Sequence, residues 1–113
     1  MLSGTIIFVN GDSGIAADME SAMTELNPTL QITEASTGRE TLELQAATRA
    51  EAVVMDAEIP DMESAQLIRA LKRDIVNPYV MVCMTEWNMQ RNRMMLKLGA
   101  GECIYAPLNA AEQ

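Results

Sequence analysis

Three short runs constrain this chain more than any other feature: Thr5–Val9 (TIIFV), Ala52–Asp56 (AVVMD) and Tyr79–Met84 (YVMVCM). Each is continuously apolar instead of alternating, and valine and isoleucine dominate. A strand with one face in water alternates apolar and polar residues. A continuous run describes a strand covered on both faces, as in the middle of a parallel sheet. Two further segments read as strands, 30–36 (LQITEAS) and 102–105 (ECIY). The first alternates, as a less buried edge strand does.

Helical segments lie between the strands, at 14–26, 38–48, 64–73 and 87–100. In the first, Ile15, Met19, Met23 and Leu26 recur at helical spacing, and Asn27-Pro28 ends it. Asp12 or Ser13 is placed to cap its start. Leu42 and Leu44 are the expected core contacts of the second helix, and Leu67, Ile68 and Leu71 those of the third. Gly99 stops the fourth. Met19, Met23, Met81, Met84, Met94 and Met95 fall at expected core positions and read as packing. Five strands alternating with four helices describe an α/β fold, a doubly wound five-stranded parallel sheet with right-handed connections.

The chain has 113 residues, enough for one domain with its own core. Net charge is −8 and there is no histidine. No basic patch exists to neutralise phosphates, which argues against direct nucleic-acid binding or an anionic membrane surface. Cys83 and Cys103 lack metal-ligand spacing and read as buried thiols in a reducing compartment. No apolar run approaches the ~20 residues of a membrane span, and no basic leader precedes the first strand. The expected location is cytoplasmic.

Gly11-Asp12-Ser13-Gly14 spells the tetrapeptide around the nucleophile of chymotrypsin-like proteases. Ser13 would need a base within reach, and the usual one is absent from the whole chain. Gly11 and Gly14 precede a helix but do not complete the dinucleotide-binding G-x-G-x-x-G. The tetrapeptide therefore reads as a turn.

Ligands of open α/β sheets bind beyond the carboxyl ends of the strands. The chain places Asn10, Gly11 and Asp12 there after the first strand, Asp56 and Glu58 after the third, and Cys83, Met84 and Thr85 after the fourth. Two readings of the carboxylates stand side by side. Asp12 and Asp56 can share a hard cation such as Mg²⁺ with Glu58 as a third oxygen ligand. Alternatively Asp12 caps the helix and Asp56 bonds loop amides.

The segments IIFVNGD (6–12), AVVMDAEIPDMES (52–64) and LGAGECIYAPLN (98–109) together resemble the receiver domain of two-component response regulators. The second contains the family's D-x-x-x-P pattern and the third its terminal-strand segment. The resemblance covers nearly the whole chain. It implies a CheY-like, flavodoxin-like sheet of strand order 2-1-3-4-5, with Asp56 at the phosphoacceptor position. It also implies a histidine kinase or another signalling protein as partner, and Mg²⁺ as cofactor if the site is intact.

The other matched positions depart from the pattern. The acidic pair falls on Asn10 and Gly11, the hydroxyl on Cys83 or Met84, and the lysine on Ala106. The preferred expectation is a degenerate receiver, not an enzyme, that works by protein contact with phosphorylation impaired or absent. The rival is a competent phosphoprotein in which Asp12 and Glu58 hold Mg²⁺ beside Asp56. The resemblance also implies a cis peptide before Pro107. The family's fifth helix is missing or truncated, since only 108–113 remain for it. The chain then reads as one receiver-like domain over 1–113, a piece of a longer signalling protein or a module that forms a homodimer through the open face.

Overall fold

The computed structural model describes residues 4–11, 13–86 and 88–105. Nine elements follow one another: β1 Thr5–Val9, α1 Ile15–Leu26, β2 Gln31–Ala35, α2 Gly38–Thr48, β3 Ala52–Asp56, α3 Ser64–Lys72, β4 Tyr79–Met84, α4 Met89–Leu98 and β5 Glu102–Tyr105. The strands form one parallel sheet in the order β2-β1-β3-β4-β5. The doubly wound architecture and its strand order are as expected. The segment 108–113, where the fifth helix was judged missing or truncated, and the Ala106–Pro107 bond expected to be cis lie outside the described residues.

The continuous apolar runs are explained by the two faces they serve. Side chains alternate across a strand. Ile7 and Val9 of β1 join Val53, Met55, Val80, Val82 and Met84 in a core closed by Leu67, Ile68 and Leu71 of α3 and Met95 of α4. Ile6 and Phe8 point the other way and meet Ile15 and Ala16 of α1, with Val54 and Cys83. Leu67, Ile68 and Leu71 are wholly buried. Truncating one of them to alanine in such a core costs about 2–5 kcal/mol. β2 lies at the edge of the sheet, as its alternating sequence implied, and only Ala35 of its residues is buried.

α2 packs through polar groups. Its buried side chains are Thr41 and Gln45, while Leu42 and Leu44 only flank the core. Gln45 tolerates burial because its amide closes the turn after the helix: Nε2 donates to the Ala50 carbonyl at 3.0 Å, and Oε1 accepts from the Ala50 N–H at 3.1 Å. A buried amide satisfied at both ends carries little desolvation cost.

Two expected core residues are surface residues. Leu26 is 85 % exposed, and residues 24–29 around it are all exposed. Met94 is 44 % exposed while Met95 is buried. Neighbours on a helix point about 100° apart, so only one of the two can face the sheet. The fourth helix also runs over Met89–Leu98, shorter than 87–100. Asn88 caps it by accepting the Arg91 N–H at 2.9 Å, and Gly99 ends it at φ 121°.

Candidate functional site

The loops beyond the carboxyl ends of β1, β3 and β4 converge on Asp56. This residue closes β3 beside Cys83 of β4 and is 0 % exposed. A buried carboxylate needs compensation, and here it comes from backbone. Oδ2 accepts the Gly11 N–H at 2.7 Å and Oδ1 accepts the Ala16 N–H at 3.0 Å. Ala16 lies in the first turn of α1, where N–H groups have no partner inside the helix and the helix dipole favours negative charge. Such charge-assisted bonds are worth about 1.5–3 kcal/mol each.

The local sequence explains how the loop reaches the carboxylate. Gly14 turns the chain into α1 with φ 77°, and the Ser13 hydroxyl accepts the Ile15 N–H at 3.2 Å. Ser13 thus serves the turn into α1, while the N-cap position itself falls on Gly14, without a side-chain cap. Gly11 presses against the β3–α3 loop: a β-carbon there would overlap the Glu58 carbonyl and lie 3.1 Å from the Asp56 Cβ. Only glycine lets the backbone come this close.

Asn10 donates its N–H to the Ala35 carbonyl at 2.8 Å, and its Oδ1 is buried without a hydrogen-bond partner among the described residues. Asp12 lies outside the described residues. Glu58 directs its carboxylate outward to Arg91 of α4, with Nη1 to Oε2 at 2.9 Å, and Arg91 Nη2 donates to the Ala57 carbonyl at 3.3 Å.

Cys83 sits on the same side of the sheet as Asp56. Its thiol is pushed up to about 12, first by burial and then by the neighbouring Asp56 charge. Its Sγ contacts the Met19 Sδ at 3.6 Å. Met84 is buried in the opposite core. Thr85 brings a hydroxyl to a cleft of about 430 Å³ that Ser13, Glu58, Cys83, Asn88 and Arg91 also line.

The described donors do not by themselves make a magnesium site, and Asp12, the expected neighbour of Asp56, lies outside the described residues. Each Asp56 oxygen accepts one amide, backbone fills the space beside Gly11, and Glu58 is paired with a guanidinium. No three acidic or metal-ligating side chains gather among the described residues.

Arg91 escaped the sequence reading. A signal was present, because Arg91, Arg93 and Lys97 make α4 cationic in a chain of net charge −8. Nothing in the spacing said that one of them reaches back over β3. Ala106 and Pro107 lie outside the described residues, while Tyr105 is 47 % exposed on β5.

Comparison with solved structures shows the same fold. The signal receiver domain of a DNA-binding response regulator from Colwellia psychrerythraea 34H matches with a TM-score of 0.82 at 19 % identity, over 96 % of this chain and 90 % of that one. The chemotaxis response regulator CheY4 of Vibrio cholerae matches with a TM-score of 0.76 at 17 % identity, over 94 % and 88 %. The phosphorylated cyanobacterial phytochrome response regulator RcpA matches with a TM-score of 0.81 at 16 % identity, over 98 % and 86 %. Sequence comparison with curated proteins finds no match. No helix among the described residues is long and apolar enough to cross a membrane. The family model of the response regulator receiver domain matches residues 6–112, and with the sheet order and the aspartate closing β3 it places this chain in the receiver-domain family of two-component signalling.

Proposed function

We propose that this receiver domain passes its signal through protein contacts, without phosphoryl transfer to Asp56. One observation carries the reading: the Asp56 carboxylate is fully buried and both its oxygens are held by backbone amides, from Gly11 and Ala16. A phosphoacceptor must present a lone pair to the incoming phosphorus with cations nearby to absorb the charge. Here the nearest described cation, Arg91, is spent on Glu58 and the Ala57 carbonyl. In the sequence Ala106 stands where the family's lysine would be, and it offers neither charge nor donor. On this reading the partner is a histidine kinase or another signalling protein of the cytoplasm, and the output depends on which surface that partner covers.

The test is incubation with Mg²⁺ and beryllofluoride or acetyl phosphate, read by intact mass and by amide shifts of Gly11 and Ala16. The expected result is no adduct and no shift. A stoichiometric adduct on Asp56 would establish the rival, a phosphorylatable receiver with Mg²⁺ held by Asp12 and Glu58.

A further inference from the structure

The first four N–H groups of an α-helix have no partner inside it. Thr37 serves two of those of α2. Its hydroxyl accepts the Glu40 N–H at 3.0 Å, and its carbonyl accepts the Thr41 N–H at 3.0 Å. The Gly38 and Arg39 N–H groups turn to a residue far along the chain. Asp61, in the loop between β3 and α3, accepts both: Oδ1 from Gly38 at 2.7 Å and Oδ2 from Arg39 at 3.0 Å. These bonds, the one from Gly38 first, hold the Asp61 carboxyl below the usual carboxylate range. Met62 rests on the same turn, since a β-carbon added at Gly38 would lie 2.6 Å from its sulfur.

We propose that Asp61 is a clasp that makes the start of α2 and the Asp56 pocket move together. One short loop carries both contacts. Just before Asp61, the Glu58 carbonyl lies against Gly11, whose N–H bonds Asp56 at 2.7 Å. Only Ile59 and Pro60 stand between Glu58 and Asp61. Ile59 packs on the core, and the ring of Pro60 fixes its φ, so the loop has little slack between its two fastenings. Fastened, Asp61 on the α2 amides seats the Glu58 carbonyl on Gly11. Released, the loop lifts from α2, Gly11 loses its support, and its N–H slips from the Asp56 carboxylate.

The two ends of the loop are held from opposite sides. Arg91 of α4 donates to the carbonyl of its first residue, Ala57, while α2 holds Asp61 near its end. The Arg39 guanidinium pairs along α2 with Glu43, at 3.7 Å, so the clasp rests on backbone amides. Charge-assisted bonds of this kind are the strong ones. Asp61 is exposed and Asp56 is buried. The clasp is therefore the end of this chain of contacts that solvent, or a partner covering α2, reaches first. It stands whether or not Asp56 accepts a phosphoryl group, because it acts on the backbone that flanks the carboxylate.

Amide NMR on the full chain tests it, comparing the wild type with Asp61→Ala, Asp61→Asn and Thr37→Ala. Asp61→Ala should shift the Gly38 and Arg39 amides, which lose their acceptors, and with them the Gly11 amide on another loop. Gly11 should also exchange with solvent about tenfold faster relative to Ala16, the other amide on Asp56, a ratio that a uniform loss of stability leaves unchanged. Asp61→Asn keeps one acceptor oxygen and should show the same pattern at smaller amplitude. Thr37→Ala removes the local cap of α2 without touching the loop, so it should shift Glu40 and leave Gly11 in place. A Gly11 amide unmoved in Asp61→Ala while Gly38 and Arg39 shift overturns the proposal. So does a Gly11 response to Thr37→Ala as large as that to Asp61→Ala, or Gly38 and Arg39 amides indifferent to the loss of Asp61.

Discussion

Gly11 and Glu58 touch backbone to backbone: a single added β-carbon at Gly11 would overlap the Glu58 carbonyl oxygen. The contact joins the loops after β1 and β3 and sets the Gly11 N–H 2.7 Å from the Asp56 carboxylate. It occupies the place where a receiver of the usual pattern carries an acidic side chain. The glycine and the amide-bound aspartate are therefore one feature, because the same close approach requires both.

Replacing Gly11 should accordingly cost stability. Gly11→Ala is expected to destabilise by about 1–3 kcal/mol through overpacking, and Gly11→Asp by at least as much, since it also sets a carboxylate against Asp56. Urea unfolding measures both. An unchanged midpoint for Gly11→Ala would mean that the loops separate freely.

Asp56 has a structural duty that a pure phosphoacceptor would not have. Asp56→Asn keeps the shape but leaves one of the Gly11 and Ala16 donors facing an amide group. The expected loss is about 1–3 kcal/mol, the cost of an unsatisfied buried donor. Asp56→Ala should strand both donors and lose more. Thermal unfolding of the three proteins at one pH checks the order.

Cys83 and Cys103 should differ in reactivity. The Cys83 thiol is buried and raised to about 12, whereas Cys103 is only half-buried and raised less, again chiefly by burial. Alkylation near pH 8, followed by peptide mass spectrometry, should label Cys103 first and Cys83 only with unfolding. The sign for stability follows from linkage. Above about 9 the unfolded chain loses a proton that native Cys83 keeps, so stability falls as the pH rises towards 12.

The Arg91–Glu58 pair should contribute little to global stability. Both side chains are substantially exposed, at 34 % and 68 %. A double-mutant cycle with Arg91→Gln and Glu58→Gln should give a coupling of about 0.2–1 kcal/mol that shrinks in high salt. Arg91→Lys should retain part of the coupling, because a lysine can meet Glu58 but lacks the second nitrogen that donates to Ala57.

Much of this molecule was legible in its residue order. The strands at 5–9, 52–56, 79–84 and 102–105 announce themselves by apolar runs bounded by turns, and four helices fill the gaps at nearly the expected limits. Failures came where period alone could not decide. Met94 and Met95 are equally apolar neighbours, and only the direction of α4 over the sheet chooses between them. Leu26 continues the α1 stripe in sequence, but the last turn of the helix is exposed.

At the site, residue order was enough to say that Asp56 closes a central strand and that Asn10, Gly11 and Ala106 stand at the positions where the resemblance expects charged partners, because residue identity and strand order are local properties. Tertiary structure alone decided where charges go once the loops meet. It turned the Asp56 oxygens to the Gly11 and Ala16 amides and drew Glu58 out to Arg91. Each of those pairings joins residues from different elements. Electrostatic energy depends on distance and burial in the folded chain, and neither is written in the spacing of residues along it.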